Sequence, residues 1–106
     1  MVNQTLSLDF IFGSLADATR RDILRRVAKE ELSVGEIAKP YNLTLAAISK
    51  HLGVLERARL ISKQRRGKEQ IVQLAPQAFA ETYEYLEFYR KHLEDRMNGL
   101  EQYLRK

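Results

Sequence analysis

The side chains here that can carry acid–base or metal chemistry are two histidines, His51 and His92, five tyrosines and fourteen carboxylates; there is no cysteine. Their spacing does not assemble a reaction centre. No glycine-rich phosphate loop is present, and no paired carboxylates come with an obvious pocket. Without cysteine, neither a disulfide nor a thiolate metal site can form. Tyr83, Tyr85 and Tyr89 lie within two helical turns and read as aromatic packing, with a cavity for a small apolar effector as the other reading. No catalytic residue and no cofactor are expected, and the chain is not read as an enzyme.

The chemistry on offer is that of cations. Residues 44–72 hold seven Lys/Arg against two Asp/Glu, while residues 1–43 balance at six against six and residues 73–106 carry five against six. The net charge of +4 therefore comes from one segment. An even spread would suit a merely solvated surface; this concentration suits a polyanion partner. Within the segment, Lys50 and Arg57 can reach phosphates or guanine, and Ser49 can bond a base or a phosphate. Ala46 and Gly53 share their face, with Ala47 and Val54 on its flanks, so a backbone can approach base edges closely. Arg65, Arg66 and Lys68 form a second cationic group.

The elements that must position these groups are legible in Ser33–Leu60. Ser33 followed by Glu36 is a capping box, so a helix begins at Val34. Pro40 keeps it short and biases Lys39 away from helix. Tyr41 and Asn42 make the turn, and Thr44 caps a second helix. Leu45, Ile48, Leu52 and Leu55 recur at helical spacing, predicting one buried stripe opposite the cationic face. His51, beside that stripe, is either structural or phosphate-contacting. Two short helices in this relation, spanning 33–58, form a helix-turn-helix, which seats its second helix in the DNA major groove. An ordinary amphipathic helix with a solvated face is the bland alternative. Residues 61–74 alternate as two strands around the turn signal Arg66-Gly67-Lys68, predicting a hairpin wing with a basic tip that leans on the helices. Such a tip can grip the DNA backbone or minor groove.

At 106 residues the chain is expected to form one domain, 1–106. No apolar run approaches the roughly 20 residues that span a bilayer, and the N-terminus shows no basic-then-apolar leader, so a cytoplasmic protein is expected. Met1 to Thr5 is expected to be loose. Ser7 caps a short opening helix through Leu8, Phe10, Ile11 and Phe12, ended by Gly13, so that helix is placed within residues 1–13. Asp17 caps the next, with Ile23, Leu24 and Val27 inward and Arg20, Arg21, Arg25, Arg26 and Lys29 outward, solvated or paired with Asp22. Pro76 suits a helix start. Phe79, Tyr83, Leu86, Tyr89 or Arg90, Leu93, Met97, Leu100 and Leu104 then recur every three or four residues, giving a helix over 76–104 about 42 Å long. A domain this small cannot cover that stripe. A homodimer is expected, its seam formed by Phe79, Tyr83, Leu86, Leu93, Met97 and Leu100 together with Leu8, Phe10 and Ile11 of the opening helix. Two recognition helices one DNA turn apart would then read an inverted repeat.

The run Leu15-Ala16-Asp17-Ala18-Thr19-Arg20-Arg21-Asp22-Ile23-Leu24 resembles the opening signature of ArsR-type winged-helix repressors. The stretch Ala47-Ile48-Ser49-Lys50-His51-Leu52-Gly53-Val54-Leu55-Glu56-Arg57-Ala58 and the wing Arg66-Gly67-Lys68 resemble the same family, and the likeness covers about residues 8–104. It implies a mainly α fold, a winged helix-turn-helix with a two-stranded wing and a long C-terminal dimerisation helix. It also implies DNA contacts at Thr44, Ala46, Ala47, Ser49 and Lys50, plus the wing. Three residues depart from the pattern: Ala18 in place of proline, Arg59 in place of glycine after the recognition helix, and Val72 in place of a wing tyrosine. A left-handed residue at Arg59 would cost about 1 kcal/mol, so either the turn differs or the cation serves DNA binding.

The resemblance also implies two metal sites, and the residues argue against both. The family's thiolate site would fall at Ser33 and Gly35. Its other site, on the last helix, would have only His92 and Asp95, with Phe79 and Glu81 where the remaining ligands belong. No metal is expected. The chain is most similar to the cysteine-free branch. The expected activity is that of a sequence-specific dimeric repressor, binding double-stranded DNA through residues 44–57 (His51 and Arg57 included) and wing 65–68. A small-molecule effector of unspecified chemistry is left open. The alternative is a protein-interaction module using the long helix, without a specific DNA target.

Overall fold

The computed structural model describes residues 2–105. The elements run α1 (Val2–Leu15), α2 (Ala18–Lys29), β1 (Leu32–Ser33), α3 (Val34–Ala38), α4 (Leu45–Arg57), β2 (Ile61–Arg66), β3 (Glu69–Leu74) and α5 (Pro76–Arg105). It is a mainly helical winged helix-turn-helix with a small antiparallel sheet and a long C-terminal helix. No helix among the described residues is long and apolar enough to cross a membrane.

The first helix is longer than its local signals suggest. Residues 2–5, expected to be loose, are helical, and the helix continues through Gly13 to Leu15; Met1 lies outside the described residues. Its last carbonyls lack helical donors, although Gly13 O also accepts the Ala16 N–H at 3.3 Å. They are met from α2: the Arg20 guanidinium donates to Ser14 O at 2.6 Å and Gly13 O at 3.2 Å, and Arg21 to Leu15 O at 2.8 Å. These two arginines, expected to be solvated or paired with acids, are C-terminal caps supplied from another helix.

α2 begins where Asp17 accepts the Arg20 backbone N–H at 3.0 Å. That bond, more than any other influence, holds the Asp17 carboxyl below the usual carboxylate range. Ile23, Leu24 and Val27 face inward, and with Ile11, Ile37, Ile48, Leu52, Leu55, Leu60 and Val72 they form the core. Ile11, expected at a subunit seam, is fully buried in its own chain, and Leu8 packs against the same core. Both face inward because α1 crosses α2, α4 and α5 rather than standing apart.

The sheet has the order β1-β3-β2, antiparallel throughout. The hairpin was legible from its turn, where Gly67 takes φ +62°, a left-handed value that suits glycine. The third strand was not. β1 is two residues long, pairing Leu32 with Val72 and Ser33 with Ile71, and a segment that short has no alternation to read. Val72, where the resemblance implies tyrosine, is fully buried opposite Leu32 and Lys63.

Of α5 only Ala78 is buried. Its N-terminal part is tied to α1, with the Ser7 hydroxyl donating to Glu81 Oε2 at 2.7 Å and Phe12 edge-on to Tyr85. The rest projects. The radius of gyration is 18.1 Å, against about 13 Å for a compact chain of this length. Tyr83, Leu86, Leu93, Met97, Leu100 and Leu104 are all exposed along it.

Candidate nucleic-acid interface

The turn between α3 and α4 is built by reciprocal capping and by a clamp from α2. Ser33 Oγ accepts the Glu36 N–H at 3.1 Å, and the Ser33 N–H donates to Glu36 Oε1 at 2.8 Å. The Ser33 backbone N–H is the main reason the Glu36 carboxyl lies below its ordinary value. Arg26 donates to Ile37 O at 2.8 Å and Glu36 O at 3.0 Å, satisfying carbonyls of the short α3. Its guanidinium lies 5.4 Å from the centre of the Tyr41 ring, and the Tyr41 hydroxyl donates to Asp22. That hydroxyl, then Arg25, holds the Asp22 carboxyl low. Burial and the bond to Asp22 push the Tyr41 phenol up. Tyr41, expected only to help make the turn, is thus the side chain that fixes the turn to α2.

α4 starts at its expected cap, with Thr44 Oγ1 accepting the Ala47 N–H at 3.1 Å. Ile48, Leu52 and Leu55 are completely buried. Leu45, expected to complete their stripe, is instead 60% exposed. It lies on the first turn, beyond the reach of the core, which closes without it. Ala46, Ser49, Lys50 and Arg57 are exposed, with Ala47 and Gly53 half-buried beside them. The N-cap Thr44 is exposed at the helix entrance.

His51 is placed differently from the other residues expected at DNA. It turns towards α2, its Nδ1 3.4 Å from the Arg20 guanidinium and 3.9 Å from Asp17 Oδ2. The same Arg20 that caps α1 therefore meets α4, and His51 joins three helices. Its side chain is only 22% exposed.

At its C-terminus α4 ends in a complete Schellman motif. The Leu60 N–H reaches Leu55 O at 3.1 Å, the Arg59 N–H reaches Glu56 O at 3.0 Å, and Arg59 takes φ +62°. The turn is the one a glycine would make, so the substitution leaves its shape intact and places arginine in a left-handed conformation. Leu60 and Leu55, both fully buried, supply the apolar contact that accompanies this motif.

The hairpin carries Arg65, Arg66 and Lys68 at its exposed end. Successive residues of a strand point to opposite faces, so Arg65 and Arg66 diverge. Arg66 pairs with Glu31 across 2.8 Å. Lys63, on the face shared with Arg65, lies 3.6 Å from Glu56 of α4. Among the described residues, Lys50, Arg57, Arg59, Arg65 and Lys68 make no ion pair. Between the helix-turn-helix and the hairpin runs a cleft of about 340 Å³, with Leu45 and Ser49 on the α4 side and Lys63, Lys68 and Gln70 on the hairpin side. Lys63, Gln70 and Leu45 line this cleft although the sequence reading did not place them at the interface. Strand alternation from Arg65 could have found Lys63; nothing local marks the other two.

Neither metal site implied by the resemblance fits these residues. The Ser33 hydroxyl is engaged as a helix cap and Gly35 has no side chain to donate. His92 stacks on Phe88, ring centres 4.8 Å apart. Among the described residues no three His, Asp or Glu side chains converge to hold an ion.

A family model described as a helix-turn-helix domain matches residues 15–64. The chain is 40% identical over 74 residues to the HTH-type transcriptional regulator Rv2034 of Mycobacterium tuberculosis, covering 70% of this chain and 69% of that protein. It is 36% identical over 58 residues to the transcriptional repressor SdpR of Bacillus subtilis, covering 55% of this chain and 64% of that one. The crystal structure of an ArsR family transcriptional regulator, RHA00566, matches with a TM-score of 0.78 at 29% identity, over 85% of this chain and 93% of that chain. Fold and relatives agree that this chain belongs to the ArsR family of helix-turn-helix transcriptional regulators, which bind DNA and are not enzymes.

Proposed function

We propose that this regulator is a repressor that works in the cytoplasm as a homodimer and occludes a promoter by binding an inverted repeat. The observation that carries the reading is the arrangement of cations without acidic partners. Lys50 and Arg57 lie on the exposed face of α4 beside small side chains, and Arg65 and Lys68 lie at the exposed end of the hairpin. Thr44, Ala46, Ala47 and Ser49 face base edges, the cations hold phosphates, and the duplex lies across both elements. Arg66 joins them by exchanging Glu31 for phosphate, while His51 positions α4 from behind. SdpR is described as a repressor, which supports the same role here.

The open stripe of α5 supports the dimer. Phe79, Tyr83, Leu86, Leu93, Met97 and Leu100, with Phe10 of α1, remain exposed in the single chain. A contiguous apolar face of that length marks an interaction site. A second copy closes it symmetrically and spaces two recognition helices roughly 34–36 Å apart. Release follows when a signal alters that spacing. The alternative of a protein-interaction module leaves the clustered cations of α4 and the hairpin without a role.

Gel-shift affinity for an inverted-repeat promoter is expected to fall steeply with salt, since each neutralised phosphate releases counterions. Lys50→Glu and Lys68→Glu should each abolish binding while sedimentation still reports a dimer. Unchanged binding by both variants would show that the DNA face is misassigned. A monomer at micromolar concentration would remove the pairing role of α5.

A further inference from the structure

We infer that Leu45 is a specificity-determining residue that reads the C5-methyl group of a thymine in each half-site. This rests on the DNA-binding reading above and deepens it.

Leu45 is the first residue of α4, directly after the Thr44 cap, and it is 60% exposed. The protein's own core does not need it: Ile48, Leu52 and Leu55, the other members of its stripe, are fully buried without its help. Its neighbours on the first turn are Thr44, Ala46 and Ala47, all smaller, so Leu45 is the largest apolar side chain exposed there. The first turn of a recognition helix is the part that meets base edges in the major groove. Base edges there present donors and acceptors, and one apolar group, the thymine methyl. An exposed leucine placed among them can gain energy only from that group.

The cleft fixes the direction in which it points. Leu45 and Ser49, one turn apart, line the side opposite Lys63 and Lys68. Lys63 on the hairpin side lies 3.6 Å from Glu56, and Glu69 lines that side too; Lys68, which makes no ion pair among the described residues, holds a phosphate there, so the base edges attached to that strand arrive against Leu45. A lysine or glutamine at this position would read a hydrogen-bonding edge; leucine reads its apolar counterpart.

The test uses a duplex selected by the protein from a random pool, then a series in which each thymine in turn is replaced by uracil, which deletes the methyl alone. Burial of one methyl corresponds to about fourfold in affinity, and about fifteenfold when both half-sites are changed together. The wild type should lose that much at one thymine per half-site. Leu45→Ala should bind the thymine and uracil duplexes alike, and Leu45→Met, which keeps an apolar tip, should retain the preference. The inference is overturned by a selected half-site without thymine, by a wild type insensitive to every uracil, or by unchanged methyl sensitivity in Leu45→Ala. Should Leu45→Ala fail to fold, Leu45→Gln, neutral and of similar length, should likewise bind the thymine and uracil duplexes alike. Lys50→Glu separates the two levels. If it loses binding while uracil changes nothing, only the Leu45 assignment falls; if it binds normally, the DNA face falls with it.

Discussion

Replacing Arg59 with glycine should make this protein more stable, although arginine is the larger side chain. Arg59 is the C′ residue of α4 and takes φ +62°. A left-handed conformation costs a residue with a Cβ about 1–2 kcal/mol. Glycine pays no such penalty, but it loses more backbone freedom on folding, about 0.5–1 kcal/mol. The two backbone bonds of the motif, at 3.0 and 3.1 Å, involve no side-chain atoms and should survive. The difference is a net gain of about 0.5–1 kcal/mol, which for a domain of this size raises Tm by about 3–6 °C. Thermal melts at one fixed protein concentration measure it, since a dimer's Tm depends on concentration. Arg59→Ala is the control: it removes the charge and keeps the Cβ, so it should show none of the gain. Equal stabilisation by alanine would mean that charge repulsion, not backbone conformation, sets the effect. No stabilisation by glycine would mean that the left-handed turn carries no strain.

Other expectations follow from the caps and the carboxylates. Thr44→Ala should cost about 1 kcal/mol of stability, with Thr44→Ser close to wild type in the same melts. Arg20→Ala strips donors from the Gly13 and Ser14 carbonyls and should cost about 1.5 kcal/mol; hydrogen exchange should show the end of α1 fraying first, and uniform loss of protection would refute the capping role. Asp17, Asp22 and Glu36 all titrate below their ordinary values when folded. The stability they add is therefore complete above about pH 4.5 and is lost as the pH falls through their lower folded values. Tm should decline below that pH, and Asp17→Asn should soften the decline; a Tm unchanged down to pH 2.5 would contradict both.

Much of the fold was legible because its determinants are local. A capping box four residues wide, Thr44 and Gly67 each act on the backbone within one turn of themselves; Pro40 does follow the end of α3, but Lys39, expected to be pushed out of the helical region, stays in it at φ −50° and ψ −50°. The stripe Ile48, Leu52 and Leu55 needs only helical periodicity, and the cationic segment needs only a count of charges. These also located the two elements proposed to face DNA, since a helix and a hairpin are each short and continuous. The open stripe on α5 followed from arithmetic: a 30-residue helix is longer than the domain beneath it.

Tertiary structure decided what depends on where neighbours stop. A period tells which way Leu45 leans, and only the packed helices decide that the core ends one turn later. The pairing of Leu32 with Val72 joins residues forty positions apart, and two residues have no pattern of their own. Arg20, Arg21 and Arg26 read as surface charges because arginine usually is; they are caps here because the ends of α1 and α3 arrive beside them. His51 and Arg66 likewise found partners distant in sequence, Arg20 and Glu31, which turned His51 towards α2 and left Arg66 exposed but paired. Sequence by itself set the local conformations and the sign of the charge, which are properties of short segments. The chain's meeting with itself decided which cations were paired and which stayed unpaired on the surface, because hydrogen bonds and burial are satisfied by whatever lies nearest in space.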